Sequence, residues 1–223
     1  MNLSTKYSAC LKGELLCPGD KSISQRALII GSYLNQESII SNILSSSDPI
    51  YTANALNQVN ANLIFNKLSN TVKIKRRQIP FQDPEGPLDL GNSGTGARLL
   101  AGFLSGLGIN ATITGDKSLS SRPMKRIVEP LTKMGFKLSS NNHRLPIEII
   151  QSHGGSFFEY NSPISSAQVK SSILLAALTG SIETKITEPI GSRDHTERML
   201  KHFGADIHSE TQNDKNIIHF SPS

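Results

Sequence analysis

The 223-residue sequence has no tryptophan and only two cysteines, Cys10 and Cys17. Neither cysteine belongs to a Cys-x-x-Cys or Cys/His ligand pattern, and the six histidines are scattered. A structural zinc site and a secreted disulfide framework are therefore not expected. No run approaches the ~18 apolar residues that a membrane span needs, and the N-terminus "MNLSTKYSAC" has no apolar signal core. No stretch is low-complexity, and no long Pro/Gly linker divides the chain. Neither sign of charge dominates: 23 Lys+Arg against 18 Asp+Glu give a formal net charge of +5, with a pI near 9.2. The one tight basic cluster, "KIKRR" at Lys73–Arg77, follows a strand-like alternation. It reads as an exposed edge or turn, not a nucleic-acid patch. These features lead to the expectation of a cytoplasmic, soluble protein with no metal, cofactor, membrane or nucleic-acid partner.

What the chain does have is a repeat. Three helix-like runs open in small or hydroxyl residues: "GDKSISQRALIIGSYL" at Gly19, "GNSGTGARLLAGFLSGL" at Gly91 and "SPISSAQVKSSILLAAL" at Ser162. Aligning Ser22, Gly94 and Ser166 gives a period of about 72 residues. A second helix recurs in register near Ser47, Ser120 and Ser192. Strand-like runs precede it ("ESIISNI", "NATITGD", "ETKITEP"), and two more follow it each time. The unit thus reads βαβαββ, three times, an α/β (α+β) chain with its units packed around a pseudo-threefold axis. The repeats span about 13–80, 85–150 and 154–221, inside a domain of residues 13–223 preceded by a segment 1–12. Ile23, Ala27, Ile30, Gly31 and Leu34 form one apolar stripe. Pro49 and Pro123 fall early in their helices, where a missing N–H costs little. Pro130 lies mid-run and is expected to kink or split its helix.

A helix N-terminus offers unpaired N–H groups and about half a positive charge, so it attracts anions. In "LDLGNSGTGARLLAG", Gly94, Thr95 and Gly96 expose bare backbone at such a mouth, with Asn92 or Ser93 as the cap. Ser, Thr and Asn cap helices in many settings, but three such mouths at one period point to a shared anion site. Lys21 and Arg26 flank Ser22. Arg122 and Arg193 occupy matching places at the start of second helices. Cations oppose the dipole at a helix start, so arginine there calls for an anion, or for a salt bridge to a neighbour such as Asp116 or Asp194. Arg98, inside the apolar run, reads as structural, pairing across the core rim.

"GDKSISQRAL", "LGNSGTGARLLAG", "GDKSLSSRPM", "SAQVKS" and "SRDHTERML", in that order from about Lys12 onward, resemble the 3-phosphoshikimate 1-carboxyvinyltransferase (EPSP synthase) family. The related UDP-N-acetylglucosamine enolpyruvyl transferases carry Lys-Asn where this chain has Lys21-Ser22, and a loop cysteine that it lacks. The resemblance implies one domain of the two-domain enolpyruvyl transferase fold, each domain built from three βαβαββ units. Family members are about twice as long, so the chain corresponds to the N-terminal half, and residues 1–12 are expected to cross to the missing domain. The implied partner is a C-terminal half or a complementing chain.

The implied reaction joins shikimate 3-phosphate to phosphoenolpyruvate and releases inorganic phosphate. By motif, Lys21 resembles the lysine that touches both substrates. Ser22, Arg26, Ser166, Ala167, Gln168 and Arg193 resemble the shikimate 3-phosphate contacts, with Arg26 suited to a bidentate carboxylate. Ala167 stands where some members have a second serine, and Arg193 where some have a serine. Gly94, Arg122 and Gln168 resemble phosphoenolpyruvate contacts. The acid and base groups belong to the half not present. Asp20 and Asp116 read as turn residues, so catalytic residues are not assigned here. Two other classes fit less well: a phosphate-binding domain without catalysis, and an RNA 3′-phosphate cyclase-like protein, whose reactive histidine motif is missing.

Overall fold

The computed structural model describes residues 4, 6, 7, 10 and 12–222. Its first unit runs α1 (Lys21–Tyr33), β1 (Ser38–Ile40), α2 (Ser47–Gln58), β2 (Leu63–Asn66) and β3 (Thr71–Ile74). The second runs β4 (Leu88–Asp89), α3 (Gly94–Leu107), β5 (Ala111–Thr114), α4 (Lys117–Ser120), α5 (Lys125–Lys133), β6 (Lys137–Asn141) and β7 (Arg144–Ile150). The third runs β8 (Phe157–Asn161), α6 (Ala167–Gly180), β9 (Glu183–Pro189), α7 (His195–His202), β10 (Asp206–Gln212) and β11 (Lys215–Ser221).

Local chemistry sets these boundaries. The side chains of Asp20, Ser93 and Ser166 cap α1, α3 and α6 by accepting from the backbone N–H of Ile23, Gly96 and Val169. The hairpin β6–β7 turns on Asn142 and His143, and β10–β11 on Asn213 and Asp214, all at positive φ. That is the geometry of a two-residue turn whose twist matches the strands, and Asn and Asp tolerate it best after glycine.

The repeat is visible in the topology. Sheet two has the order β4-β5-β7-β6 and sheet three β8-β9-β11-β10, with the first pair parallel and the rest antiparallel in both. The helices pack cyclically: α2 against α3, α5 against α6, and α7 against α1. Each outer helix thus covers the inner helix of the next unit. Every residue of α3 from Gly94 to Ser105 except Arg98 is buried, as expected of a helix that is apolar almost all round. Its packing against α6 depends on glycine. A Cβ at Gly102 would sit 2.0 Å from the Ser172 carbonyl oxygen, and one at Gly106 2.4 Å from that of Ala176.

Three expectations change. Sheet one has only three described strands, β1-β3-β2. Residues 12–20 form no strand, and Leu15 and Leu16 are 86% and 97% exposed. Among the described residues nothing pairs with the outer edge of β1, which borders a groove lined by Gly31, Leu34, Ile39, Ile40, Met199 and Phe203. The interruption in the second unit's outer helix falls at Arg122–Met124 rather than at Pro130. There the Met124 N–H donates to the His143 carbonyl at 2.7 Å, a tertiary bond that takes it out of any helical ladder, while Pro130 lies buried within α5. Finally, β3 is the central strand of its sheet, so of the two expectations for Lys73–Arg77 the edge fails, while Lys75–Arg77 do lie in the loop that follows, with Lys75 and Arg76 exposed. Arg77 donates to the Ser32 and Tyr33 carbonyls at the end of α1 and covers the Phe81 ring at 4.0 Å, where a cation complements the helix dipole. The expected crossing segment 1–12 falls largely outside the described residues.

Candidate functional site

The mouths of α1, α3 and α6 are tied to one another by polar side chains. Gln25, in α1, donates through Nε2 to Ser93 Oγ, the cap of α3, and to Thr52 Oγ1 at 3.0 Å. Gln168, in α6, donates to Thr95 Oγ1 of α3 at 2.9 Å and accepts from Arg98 Nη1 at 3.1 Å. Arg26 reaches from α1 to the third unit: Nε donates to Thr196 Oγ1 at 2.7 Å, and Nη2 to Ser171 Oγ at 2.8 Å and the Ala167 carbonyl at 3.4 Å. Residues from the first two turns of three helices, one from each unit, are thereby held together at one end of the inner helices.

Most residues singled out from the sequence lie around this junction. Lys21 is half exposed and pairs with Asp48 at 3.0 Å. Ser22 is half-buried, and its carbonyl accepts from Arg26 Nη1 at 3.1 Å. Ser166, Ala167 and Gln168 form the half-buried mouth of α6. Arg193 is exposed and, among the described residues, has no ion pair, with Asp194 or any other carboxylate. It lies close enough to Arg26 to oppose its charge.

Gly94 has the most pointed surroundings. A Cβ there would lie 2.9 Å from Arg98 Nη1 and 3.0 Å from Arg122 Nη1. Two guanidinium groups therefore converge on the bare backbone at the mouth of α3. Among the described residues neither has an ion pair. Arg122 donates to Asn92 Oδ1, and Asn92 in turn donates to Asp116 Oδ2 at 2.8 Å. The Asp116 carboxylate, its pKa held low mainly by its own hydrogen bonds, also feels the Arg122 charge but makes no ion pair with it. Ser93, not Asn92, is the cap. The pKa of Arg98 is lowered, first by burial and then by Arg122 and Arg126. A place where Arg98, Arg122 and Arg126 crowd against one carboxylate and no ion pair forms favours an anion.

Two readings from the sequence need revision. Arg98 does pair across the rim, to Gln168 and to the Pro123 carbonyl at 3.4 Å, yet it also flanks Gly94 alongside Arg122. Arg26 is 2% exposed, and its pKa is lowered by burial, an effect opposed by Glu197 and Asp20. Protein oxygens take four of its five N–H donors, so a bidentate grip on a ligand requires some of those bonds to be exchanged.

Sequence reasoning also missed a buried ion cluster. Lys170 Nζ lies 2.7 Å from Glu188 Oε1 and 2.6 Å from Glu197 Oε1. The 72-residue repeat carried a usable signal, since Arg26, Arg98 and Lys170 are equivalent under it: each is a cation one turn inside its inner helix. Gln25 and Thr52 gave no comparable signal, and Thr95 was marked for its backbone and not for its side chain. Among the described residues no group of three His, Cys, Asp or Glu could hold a metal ion, and no helix is long and apolar enough to cross a membrane.

Residues 6–222 match the family model described as EPSP synthase (3-phosphoshikimate 1-carboxyvinyltransferase). The 3-phosphoshikimate 1-carboxyvinyltransferase of Petrotoga mobilis is 46% identical over 220 residues, covering 98% of this chain and 50% of the relative. That of Rhodopseudomonas palustris is 44% identical over 219 residues, covering 95% and 48%. The 2.37 Å structure of EPSP synthase from Acinetobacter baumannii superposes with a TM-score of 0.84 at 36% identity, over 95% of this chain and 47% of that one. The chain spans about half the length of the curated relatives it matches.

Proposed function

The chain belongs to the EPSP synthase family, and from that premise we propose that it is the substrate-anchoring half of a 3-phosphoshikimate 1-carboxyvinyltransferase. In this reading Lys21, Ser22, Arg26, Ser166, Ala167, Gln168 and Arg193 bind shikimate 3-phosphate. Lys21, Gly94, Arg122 and Gln168 bind phosphoenolpyruvate, with Arg98 added to that set because it too flanks Gly94. The observation that carries the reading is the bare mouth of α3 between two arginines that make no ion pair among the described residues.

The reaction transfers the enolpyruvyl group to shikimate 3-phosphate and releases phosphate. It needs an acid to protonate the enol carbon and a base for the attacking hydroxyl. The carboxylates around the mouths are engaged: Asp20 caps α1, Asp116 caps α4 and accepts from Asn92, Asp48 pairs with Lys21, and Glu188 and Glu197 pair with Lys170. This half therefore contributes positioning and charge stabilisation, and a C-terminal half supplies the acid and base. The edge of β1 supports such a partner. By the threefold relation, the slot that β4 fills beside β5 and β8 beside β9 is unfilled beside β1 among the described residues, and in this reading a strand of the C-terminal half takes it. The proposed compartment is the cytoplasm.

The test is thermal unfolding of the chain at equal ionic strength in chloride, phosphate, shikimate 3-phosphate and single-stranded RNA. Shikimate 3-phosphate at ten times its dissociation constant stabilises by about 1.4 kcal/mol, or roughly 3–5 °C for a domain of this size. Stabilisation by inorganic phosphate alone to the same extent indicates a plain anion-binding domain. A response to RNA alone indicates a cyclase-like role.

A further inference from the structure

Lys170, Glu188 and Glu197 have side-chain exposures of 2%, 1% and 10%. Burying an ion cluster is a poor route to stability, because desolvation offsets the attraction, so its placement matters more than its strength. Glu188 is the penultimate residue of β9, just before the loop that carries Arg193. Besides Lys170, it accepts from the Ser192 hydroxyl through Oε1, and its Oε2 lies 3.4 Å from the backbone N–H of Ser166. One carboxylate therefore grips both the cap of α6 and the residue next to Arg193. Lys170 fixes that carboxylate from inside α6 and ties it to Glu197 in the first turn of α7.

The charges complement this geometry. Two carboxylates face one ammonium, and Arg26, buried nearby, is attracted by Glu197. Arg26, Lys170, Glu188 and Glu197 sum to zero, which leaves the charge of Arg193 uncompensated at the surface.

We propose that Glu188, clamped by Lys170, is a positioning residue for shikimate 3-phosphate, holding the Ser166 mouth and the Arg193 loop at the spacing its phosphate requires. This rests on the assignment of Ser166 and Arg193 to that ligand. Its sign is diagnostic. Removing a negative charge beside Arg193 would by itself tighten phosphate binding. Losing the clamp would loosen it, because the amide introduced by Glu188→Gln, with its nitrogen turned toward Ser166 N–H, sets donor against donor.

The experiment is calorimetric titration of the 223-residue chain with shikimate 3-phosphate and with phosphoenolpyruvate. The expected result is that Glu188→Gln raises the dissociation constant for shikimate 3-phosphate at least threefold and leaves that for phosphoenolpyruvate within twofold. In the Arg193→Ala background, Glu188→Gln should add little further loss. Ser192→Ala removes only one hydrogen bond and guards against a folding failure of Glu188→Gln; it should weaken the same ligand to a smaller degree. Unchanged or tighter binding of shikimate 3-phosphate in both variants overturns the proposal. So does an equal loss for both ligands, or full additivity with Arg193→Ala, since a purely structural role predicts those outcomes. If the wild-type chain binds phosphoenolpyruvate but not shikimate 3-phosphate, the assignment of Ser166 and Arg193 fails, and the proposal with it.

Discussion

Gly94→Ala separates binding from folding more cleanly than any other substitution at the site. The added methyl would meet Arg98 Nη1 at 2.9 Å, Arg122 Nη1 at 3.0 Å and Leu119 Cδ1 at 3.6 Å. The two close neighbours are ends of long side chains, so they swing aside at little cost to the fold. Alanine also favours a helix over glycine, by up to about 1 kcal/mol. Apparent stability should therefore hold or rise slightly. The anion site fares differently. A charge-assisted hydrogen bond contributes about 1.5–3 kcal/mol. Displacing one guanidinium from its place beside the backbone should thus weaken phosphoenolpyruvate by roughly ten- to a hundredfold, at about 1.4 kcal/mol per factor of ten. Shikimate 3-phosphate, assigned to the α1 and α6 mouths, should change little. The assay is steady-state kinetics in the presence of a complementing C-terminal half, with thermal unfolding as the folding control. KM for phosphoenolpyruvate should rise while KM for shikimate 3-phosphate stays put. Equal rises for both with a lowered Tm, or no change for either, would refute the placement of phosphoenolpyruvate at Gly94.

The same substitution elsewhere in α3 should behave in the opposite way. At Gly102 the methyl would meet the Ser172 carbonyl oxygen at 2.0 Å, so α3 and α6 must separate. Gly102→Ala should cost about 1–3 kcal/mol as overpacking does, seen as a Tm lower by roughly 2–4 °C per kcal/mol, and an unchanged Tm would contradict the packing described. Arg193→Ala should weaken shikimate 3-phosphate more than Arg98→Ala does, measured by calorimetry. Arg193 is exposed without an ion pair, whereas Arg98 is partly spent on Gln168 and the Pro123 carbonyl. Equal losses, or the reverse order, would make Arg193 an ordinary surface residue.

The architecture was largely legible because it is periodic. Small-residue mouths at Ser22, Gly94 and Ser166, with strand patterns in register, required three like units, and sheets two and three repeat one strand order. The first unit broke the pattern for a reason the period cannot express. The run "LLC" at Leu15–Cys17 resembles "LDL" at Leu88–Leu90, yet whether such a run joins its own sheet depends on what else competes for it. Pro130 misled because local propensity located the break, whereas the tertiary bond from Met124 to His143 decided it. At the site, the sequence marked residues that face outward, Lys21, Arg122 and Arg193, since each breaks a local rule. It was silent on Gln25, on the bond between Thr95 and Gln168, and on Glu188 and Glu197, which only the packing of β9 and α7 brings to Lys170. Arg26, expected to meet a ligand carboxylate, proved to be 2% exposed.

The central claim is that three helix mouths form a substrate platform that lacks only its acid and base. It is tested most directly by phosphate release from shikimate 3-phosphate and phosphoenolpyruvate. The assay compares this chain alone, the separately expressed C-terminal half of the Petrotoga mobilis relative alone, and the two mixed. The account predicts no release above background from either part and phosphate release from the mixture, abolished when Arg122→Ala is introduced here. Turnover by this chain alone would contradict it, as would a mixture that co-purifies yet stays inactive.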